Sequence, residues 1–205
     1  MMKIVLKYSL WATFCFLFVL TQACKEDYYV DSGIHKPNFE GTMYDYLLSK
    51  PEYFDSLVKV IDLAGMKELY QKENITFFAP PAETIRKSVK SLNQYLRSSG
   101  QDTIHNLNQI NKETWVDFLS LYTLKEKFLF NDFVQIDTLD FSAFSGQSYL
   151  TLNAIPVVVG AVFNNAGGVK YAGYRQLLYA YIGDLNNPYT SLRNTMVASS
   201  NIQPY

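Results

Sequence analysis

Asn74-Ile75-Thr76-Phe77-Phe78-Ala79-Pro80-Pro81 is the stretch whose reading decides the fold. Ile75 to Phe78 are all β-branched or aromatic, which suits a buried strand. Pro80 and Pro81 stop it, because proline donates no ladder hydrogen bond and restricts the residue before it. A helical pattern follows from Ala82 to about Arg97, with Ile85, Val89, Leu92 and Leu96 on one stripe. Arg86, Lys87 and Lys90 fall off that stripe and are expected to face water. A central strand entering a proline stop and then a helix is a core-plus-cap unit, which indicates a fold and no chemistry.

Upstream of this stretch, Thr42-Met43-Tyr44-Asp45 has capping-box spacing. The helix it starts must end near Pro51, which can itself open the next one. Phe54, Leu57, Val58 and Ile61 then form an i, i+3, i+4, i+7 stripe, stopped by Gly65. A short extra turn is expected over Met66 to Tyr70. Downstream, Asn111 can cap a helix carrying Trp115, Phe118, Leu119 and Tyr122 on one face. From about Lys127 the period changes. Phe128 to Phe133, Tyr149 to Leu152, Ile155 to Phe163 and Leu177 to Ile182 are expected to be strands, punctuated by Ser145-Gly146 and by Asn164 to Gly168. Helices first and strands later predict an α+β fold with a mainly antiparallel sheet.

The N-terminal stretch carries an address. Lys3 and Lys7 precede an apolar run of about eleven residues, Leu10 to Leu20, too short for a comfortable membrane span. Leu20-Thr21-Gln22-Ala23-Cys24 resembles a relaxed lipobox, at which bacterial lipoproteins are cut and acylated. That resemblance implies a signal peptide over 1–23, lipid on Cys24, and the loss of Cys15 with the signal, leaving no pair for a disulfide. Lys25-Glu26-Asp27 resembles the acidic signal that exports lipoproteins of some Gram-negative anaerobes to the outer face of the outer membrane. Residues 24–41 are then a flexible tether and 42–205 the globular domain. Lipid would anchor the protein to the membrane, and nothing would span it.

The 205-residue chain is 48% hydrophobic and 18% charged, enough apolar material for one core. Its formal net charge is -1, which removal of Lys3 and Lys7 would lower to -3. Neither value, nor any run of basic residues, suggests a nucleic-acid partner.

Thr42-Met43-Tyr44-Asp45-Tyr46-Leu47, Leu63-Ala64-Gly65-Met66 and Thr76-Phe77-Phe78-Ala79-Pro80, in that order, resemble a fasciclin-type (FAS1) domain. Leu119-Ser120-Leu121-Tyr122 and Val197-Ala198-Ser199-Ser200-Asn201-Ile202 are similar to later motifs of the family. The resemblance covers about Thr42 to Tyr205. It implies N-terminal helices packed on a mainly antiparallel sheet or wedge, and adhesion or binding rather than catalysis. Pro81 stands where the family carries threonine, and Ile85 near its usual phenylalanine. Thr123 replaces the histidine of the Tyr-His pair implicated in adhesion by animal members. The family continues with a last strand after the region of Ile202, and the sequence stops at Tyr205. A missing C-terminal strand would leave an open sheet edge that a partner could fill as strand donor.

The motifs of catalysis are absent from the sequence: it carries no nucleophile elbow, phosphate-binding glycine loop or dinucleotide fingerprint. His35 and His105 lie far apart and suggest no metal site. Asp132, Asp137 and Asp140 have no spacing that argues for a glycosidase pair. No enzyme activity, cofactor or metal is expected. The candidate ligand-binding constellation is Tyr171, Tyr174, Tyr179, Tyr181 and Tyr189, since tyrosine offers a flat apolar face and a hydroxyl. Packing across strands explains the same alternation. The functional expectation is a surface lipoprotein that binds glycan, matrix or another protein. The alternative is a structural accessory subunit of an outer-membrane nutrient (glycan) uptake complex.

Overall fold

The computed structural model describes residues 38–72, 74–182, 192–196 and 203–204; side chains are described up to Tyr181. Cys24, Lys25, Glu26, Asp27 and Tyr189 lie outside the described residues. Among the described residues, eight strands and five α-helices follow in order. They are β1 (Asn38–Phe39), α1 (Met43–Leu48), α2 (Pro51–Ala64), α3 (Lys67–Lys72), β2 (Thr76–Phe77), α4 (Ala82–Ser98), α5 (Lys112–Leu121) and β3 (Thr123–Leu124), then β4 (Gln147–Leu150), β5 (Pro156–Phe163), β6 (Arg175–Ile182), β7 (Leu192–Met196) and β8 (Gln203–Pro204). The class is mixed helix and sheet, α+β, with a four-stranded antiparallel sheet β4-β5-β6-β7 and a two-stranded antiparallel sheet β2-β3.

The helices form where their local signals place them. Thr42 accepts from the Asp45 amide at 3.2 Å, and the Asp45 carboxylate accepts from the Thr42 amide at 3.0 Å, a reciprocal cap. Pro51 opens α2 at its first turn, and Gly65 closes it in the left-handed region at φ 69°. Asn111 caps α5 by accepting from the Thr114 amide at 2.9 Å. Leu57, Val58, Ile61, Ile85, Trp115 and Leu119 meet in one helical core, joined by Tyr44, Leu47 and Tyr70.

The sheet is apolar on both faces. Val157, Val159 and Ala161 of β5 lie opposite Tyr181, Tyr179 and Leu177 of β6, and this face packs with Leu124, Phe133 and Tyr149. On the other face Val158 and Val162 join Leu178, Ala180 and Ile136. Cover on both sides explains the nearly unbroken apolar run of β5, which does not alternate with polar residues as a half-exposed strand would.

Two expectations are corrected. Ile75 to Phe78 is not a central strand: β2 is two residues long and pairs only with β3. The Phe78 amide donates instead to the Tyr122 carbonyl at 2.9 Å, and the prolines end the pairing. The segment joins two cores all the same, because Ile75 and Phe77 pack with the helices and Phe78 with the sheet. Phe128 to Phe133 is not a strand either. Phe130–Asp132 is a 3₁₀ turn, capped at its start by the Asp132 carboxylate accepting from the Leu129 amide at 2.6 Å. Its aromatics are held by ring contacts rather than a ladder: Phe128 and Phe133 stand 4.9 and 5.4 Å from the Tyr149 ring.

At the end of the stretch read as tether, Asn38–Phe39 pairs in parallel with Gln203–Pro204. The Phe39 ring meets Tyr46 edge-on at 5.3 Å.

Candidate functional site

Between α2, α4 and the loop that follows α4 lies an open groove of about 550 Å³. Its floor is aliphatic, formed by Leu63, Val89 and Leu107. Its rim is polar, with Lys59 and Asp62 on the α2 side and His105, Asn106 and Asn108 on the loop side.

Each wall is fixed by side chains with stated partners. Lys59, Asp62 and Leu63 fall on one side of α2 because they follow at i, i+3 and i+4. The Tyr44 hydroxyl donates to Asp62 Oδ1 at 2.8 Å, which orients the carboxylate. Burial of the Tyr44 ring, reinforced by the Asp62 carboxylate, pushes its phenol up to about 12. Lys67 Nζ sits 4.7 Å from the centre of the same ring. On the loop side, Asn93 of α4 acts as a two-pronged clamp. Its Nδ2 donates to the Ile104 carbonyl at 2.7 Å, and its Oδ1 accepts from the Ile104 amide at 2.6 Å. Gln109 Oε1 accepts from the His105 and Asn106 amides at 2.7 and 2.8 Å. Trp115 Nε1 donates to the Leu107 carbonyl at 3.1 Å, tying the loop to the helical core. The backbone of the rim is thereby held, while His105, Asn106 and Asn108 are exposed and His105 Nε2 lies 3.3 Å from Thr103 Oγ1. Chemically, such a rim offers hydrogen-bond donors and acceptors around an apolar floor.

Of the sequence-predicted tyrosines, the four described ones, Tyr171, Tyr174, Tyr179 and Tyr181, do not line this groove. Tyr179 is 3% exposed; its hydroxyl donates to the Leu121 carbonyl, and burial raises its pKa. Its ring stacks on Tyr122 at 5.9 Å and contacts Phe78 at 4.9 Å. Tyr181 is half-buried on the same face. Tyr171 belongs to the turn before β6, where its hydroxyl donates to Asp137 Oδ2 at 2.7 Å. Tyr174 is exposed.

Of the carboxylates considered for chemistry, each has a turn-forming partner: Asp132 the Leu129 amide, Asp137 the Leu139 amide and Tyr171, Asp140 the Ser142 hydroxyl. The Leu139 amide, with Tyr171, holds the Asp137 carboxyl below the usual range. Among the described residues no group of three or more His, Cys, Asp or Glu could hold a metal ion. His105, which the sequence offers as no metal ligand, lines the groove, and none of the described candidate tyrosines does. Sequence reading missed Lys59, Asp62, Asn106 and Asn108; the polar run His105-Asn106-Leu107-Asn108-Gln109 between two helices was the available signal. No protein-family model matches the chain, and no curated protein is significantly similar to it.

Proposed function

We propose that this chain is a non-catalytic, lipid-anchored surface module that binds a macromolecule through the groove between α2 and α4. The observation that carries this reading is the groove itself, an aliphatic floor inside a polar rim whose backbone is pinned by Asn93, Gln109 and Trp115. Open, partly apolar concavities with a few oriented polar groups are what recognition sites require. The fasciclin-like reading of the domain is supported by the order of its elements: a capped helix, a proline-opened helix ending at Gly65, a short strand before Pro80, then helices and antiparallel strands. Thr123, which stands in the place of the family's histidine, is fully buried and hydrogen-bonded to Leu119 and Tyr70. The anchoring part of the proposal rests on Leu20 to Asp27, with lipid on Cys24 and export to the outer face of the outer membrane.

The second reading, an accessory subunit of an outer-membrane glycan uptake complex, is supported by the outer edge of β7, which has no strand beside it among the described residues. That edge could receive an extended segment of a transporter.

Purified full-length chain in detergent, applied to resins carrying plant and bacterial polysaccharides, tests the first reading. Retention on at least one resin, lost on Asn108→Ala, is expected. Passage through every resin, with stoichiometric recovery of a transporter after cross-linking in cells, would replace it by the second.

A further inference from the structure

Where the chain enters the domain it passes through a run of aromatic rings. Phe39 meets Tyr46 with ring centres 5.3 Å apart, Tyr46 meets Phe54 at 6.4 Å, and Phe54 meets Tyr53 at 6.3 Å. Tyr46 and Phe54 rest on the helical core and are half-buried, as is Phe39, while Tyr53 is 59% exposed. Leu48, 50% exposed at the end of α1, belongs to the same α1–α2 corner, and Lys50 and Glu52 stand exposed between it and Tyr53. Single exposed hydrophobics need no explanation. Four rings in mutual contact, partly open to solvent, mark a contact face.

Ring geometry and charge narrow what covers this face. The rings are inclined by 81°, 50° and 57° to their neighbours, so no two present a common plane on which a sugar chain could stack. Charges of both signs neighbour them in sequence, Lys50 against Glu40 and Glu52, which favours neither a strongly anionic nor a strongly cationic partner. Rings with hydroxyl ends, an aliphatic side chain and both charges match a zwitterionic lipid headgroup layer, where tyrosine buries its ring and keeps its hydroxyl wet. Position favours the same occupant. Phe39 lies fifteen residues after Cys24, a span of at most about 50 Å when extended. A covalent link of that length keeps the corner close to the anchoring membrane, so a contact too weak to recruit a free protein is populated there. The groove stays clear, since α2 carries Tyr53 and Phe54 in its first turn and Leu63 near its end, about 14 Å further along. We infer that the aromatic corner of Phe39, Tyr46, Leu48, Tyr53 and Phe54 seats on the headgroup layer of the membrane, with the groove at the far end of α2. This rests on the reading of the chain as lipid-anchored and adds which face of the domain meets the membrane.

Tryptophan emission tests it, from the full-length chain purified in detergent and reconstituted in vesicles of phosphatidylcholine and phosphatidylethanolamine. The vesicles carry bromine, a contact quencher, on acyl carbons next to the headgroup, or carry none. Tyr53→Trp places a reporter in the corner, Tyr174→Trp places one at an exposed tyrosine outside it, and the native Trp115 is buried. Brominated vesicles should quench the added emission of Tyr53→Trp and leave that of Tyr174→Trp unchanged. Leu48→Asp added to Tyr53→Trp should restore the emission, because a carboxylate draws the corner back into water. All three positions are exposed, and unchanged thermal melts keep the comparison to membrane contact. Flotation of the vesicles separates the anchor from the corner. A chain that floats with them yet emits equally with and without bromine would overturn the inference and keep the anchor. Emission that is unquenched but shifts to the blue as chain concentration rises would overturn it in favour of a contact between two copies. Equal quenching at both positions, or quenching that Leu48→Asp leaves intact, would overturn it in favour of a domain lying on the surface without a preferred face. A chain left behind by the vesicles would overturn the inference and the anchor together.

Discussion

Thr123 shows how one side chain can serve both layers of this molecule. Its hydroxyl donates to the Leu119 carbonyl at 2.9 Å and lies 3.1 Å from the Tyr70 hydroxyl, in full burial. Since the threonine proton is committed to Leu119, Tyr70 must be the donor of the second bond. Thr123→Val keeps the shape and strands the Tyr70 proton, and should cost about 1–3 kcal/mol. Tyr70→Phe removes that proton and should cost about 1 kcal/mol. The double variant should lose less than the sum, as measured by urea unfolding in a double-mutant cycle. Tyrosine ionisation gives a second prediction at this scale. Burial raises the phenols of Tyr44, Tyr70 and Tyr179 above the ordinary value, Tyr44 to about 12. A proton held more tightly in the folded state contributes stability that is complete below the unfolded pKa of about 10 and is lost as pH rises beyond it. Thermal midpoints should therefore fall steadily above about pH 10, and phenolate absorbance should lag behind the total tyrosine content until the chain unfolds. The five tyrosines singled out in sequence look alike there because residue type does not reveal which partner a hydroxyl will find. Tyr179 and Tyr171 each find one inside the fold, Leu121 and Asp137.

Helices were legible at the element scale because their signals are local. Thr42 with Asp45, Pro51, Gly65 and Asn111 act within one turn of the boundaries they set. Strands were less so. The apolar run Phe128 to Phe133 satisfies strand propensity, yet Asp132 folds back on Leu129 and closes a turn that no period count registers. Packing over β5 was hidden for a related reason. Val134 to Ile136 runs beside that strand as a parallel bridge, with the Ile136 amide donating to the Ala161 carbonyl at 3.0 Å and the Ala161 amide to the Val134 carbonyl at 2.8 Å. Beside this bridge Gly160 leaves no room: an added Cβ would lie 2.5 Å from Ile136 Cβ. Gly160→Ala should destabilise the sheet by about 1–3 kcal/mol, read as a lower midpoint in chemical denaturation with an unchanged slope. An unchanged midpoint would mean that the bridged segment moves aside freely.

Across the whole molecule, Ile75 to Phe78 holds the helical and sheet cores together, with Phe77 4.7 Å from the Tyr70 ring and Phe78 4.9 Å from Tyr179. The sequence marked this stretch as central, and it is central, though as a junction between cores rather than as a middle strand. The groove was illegible for a reason of distance. Its walls come from Lys59–Leu63, Val89 and His105–Asn108, which only the packing of α2 against α4 brings together. The most direct test of the account is photo-cross-linking on intact cells, with a benzophenone side chain placed at Asn108 in the groove or at the exposed Leu150 of β4. The account predicts a covalent adduct with a cell-surface macromolecule from position 108 and none from position 150. An adduct from position 150 alone, or equal labelling from both, would contradict the groove as the binding face.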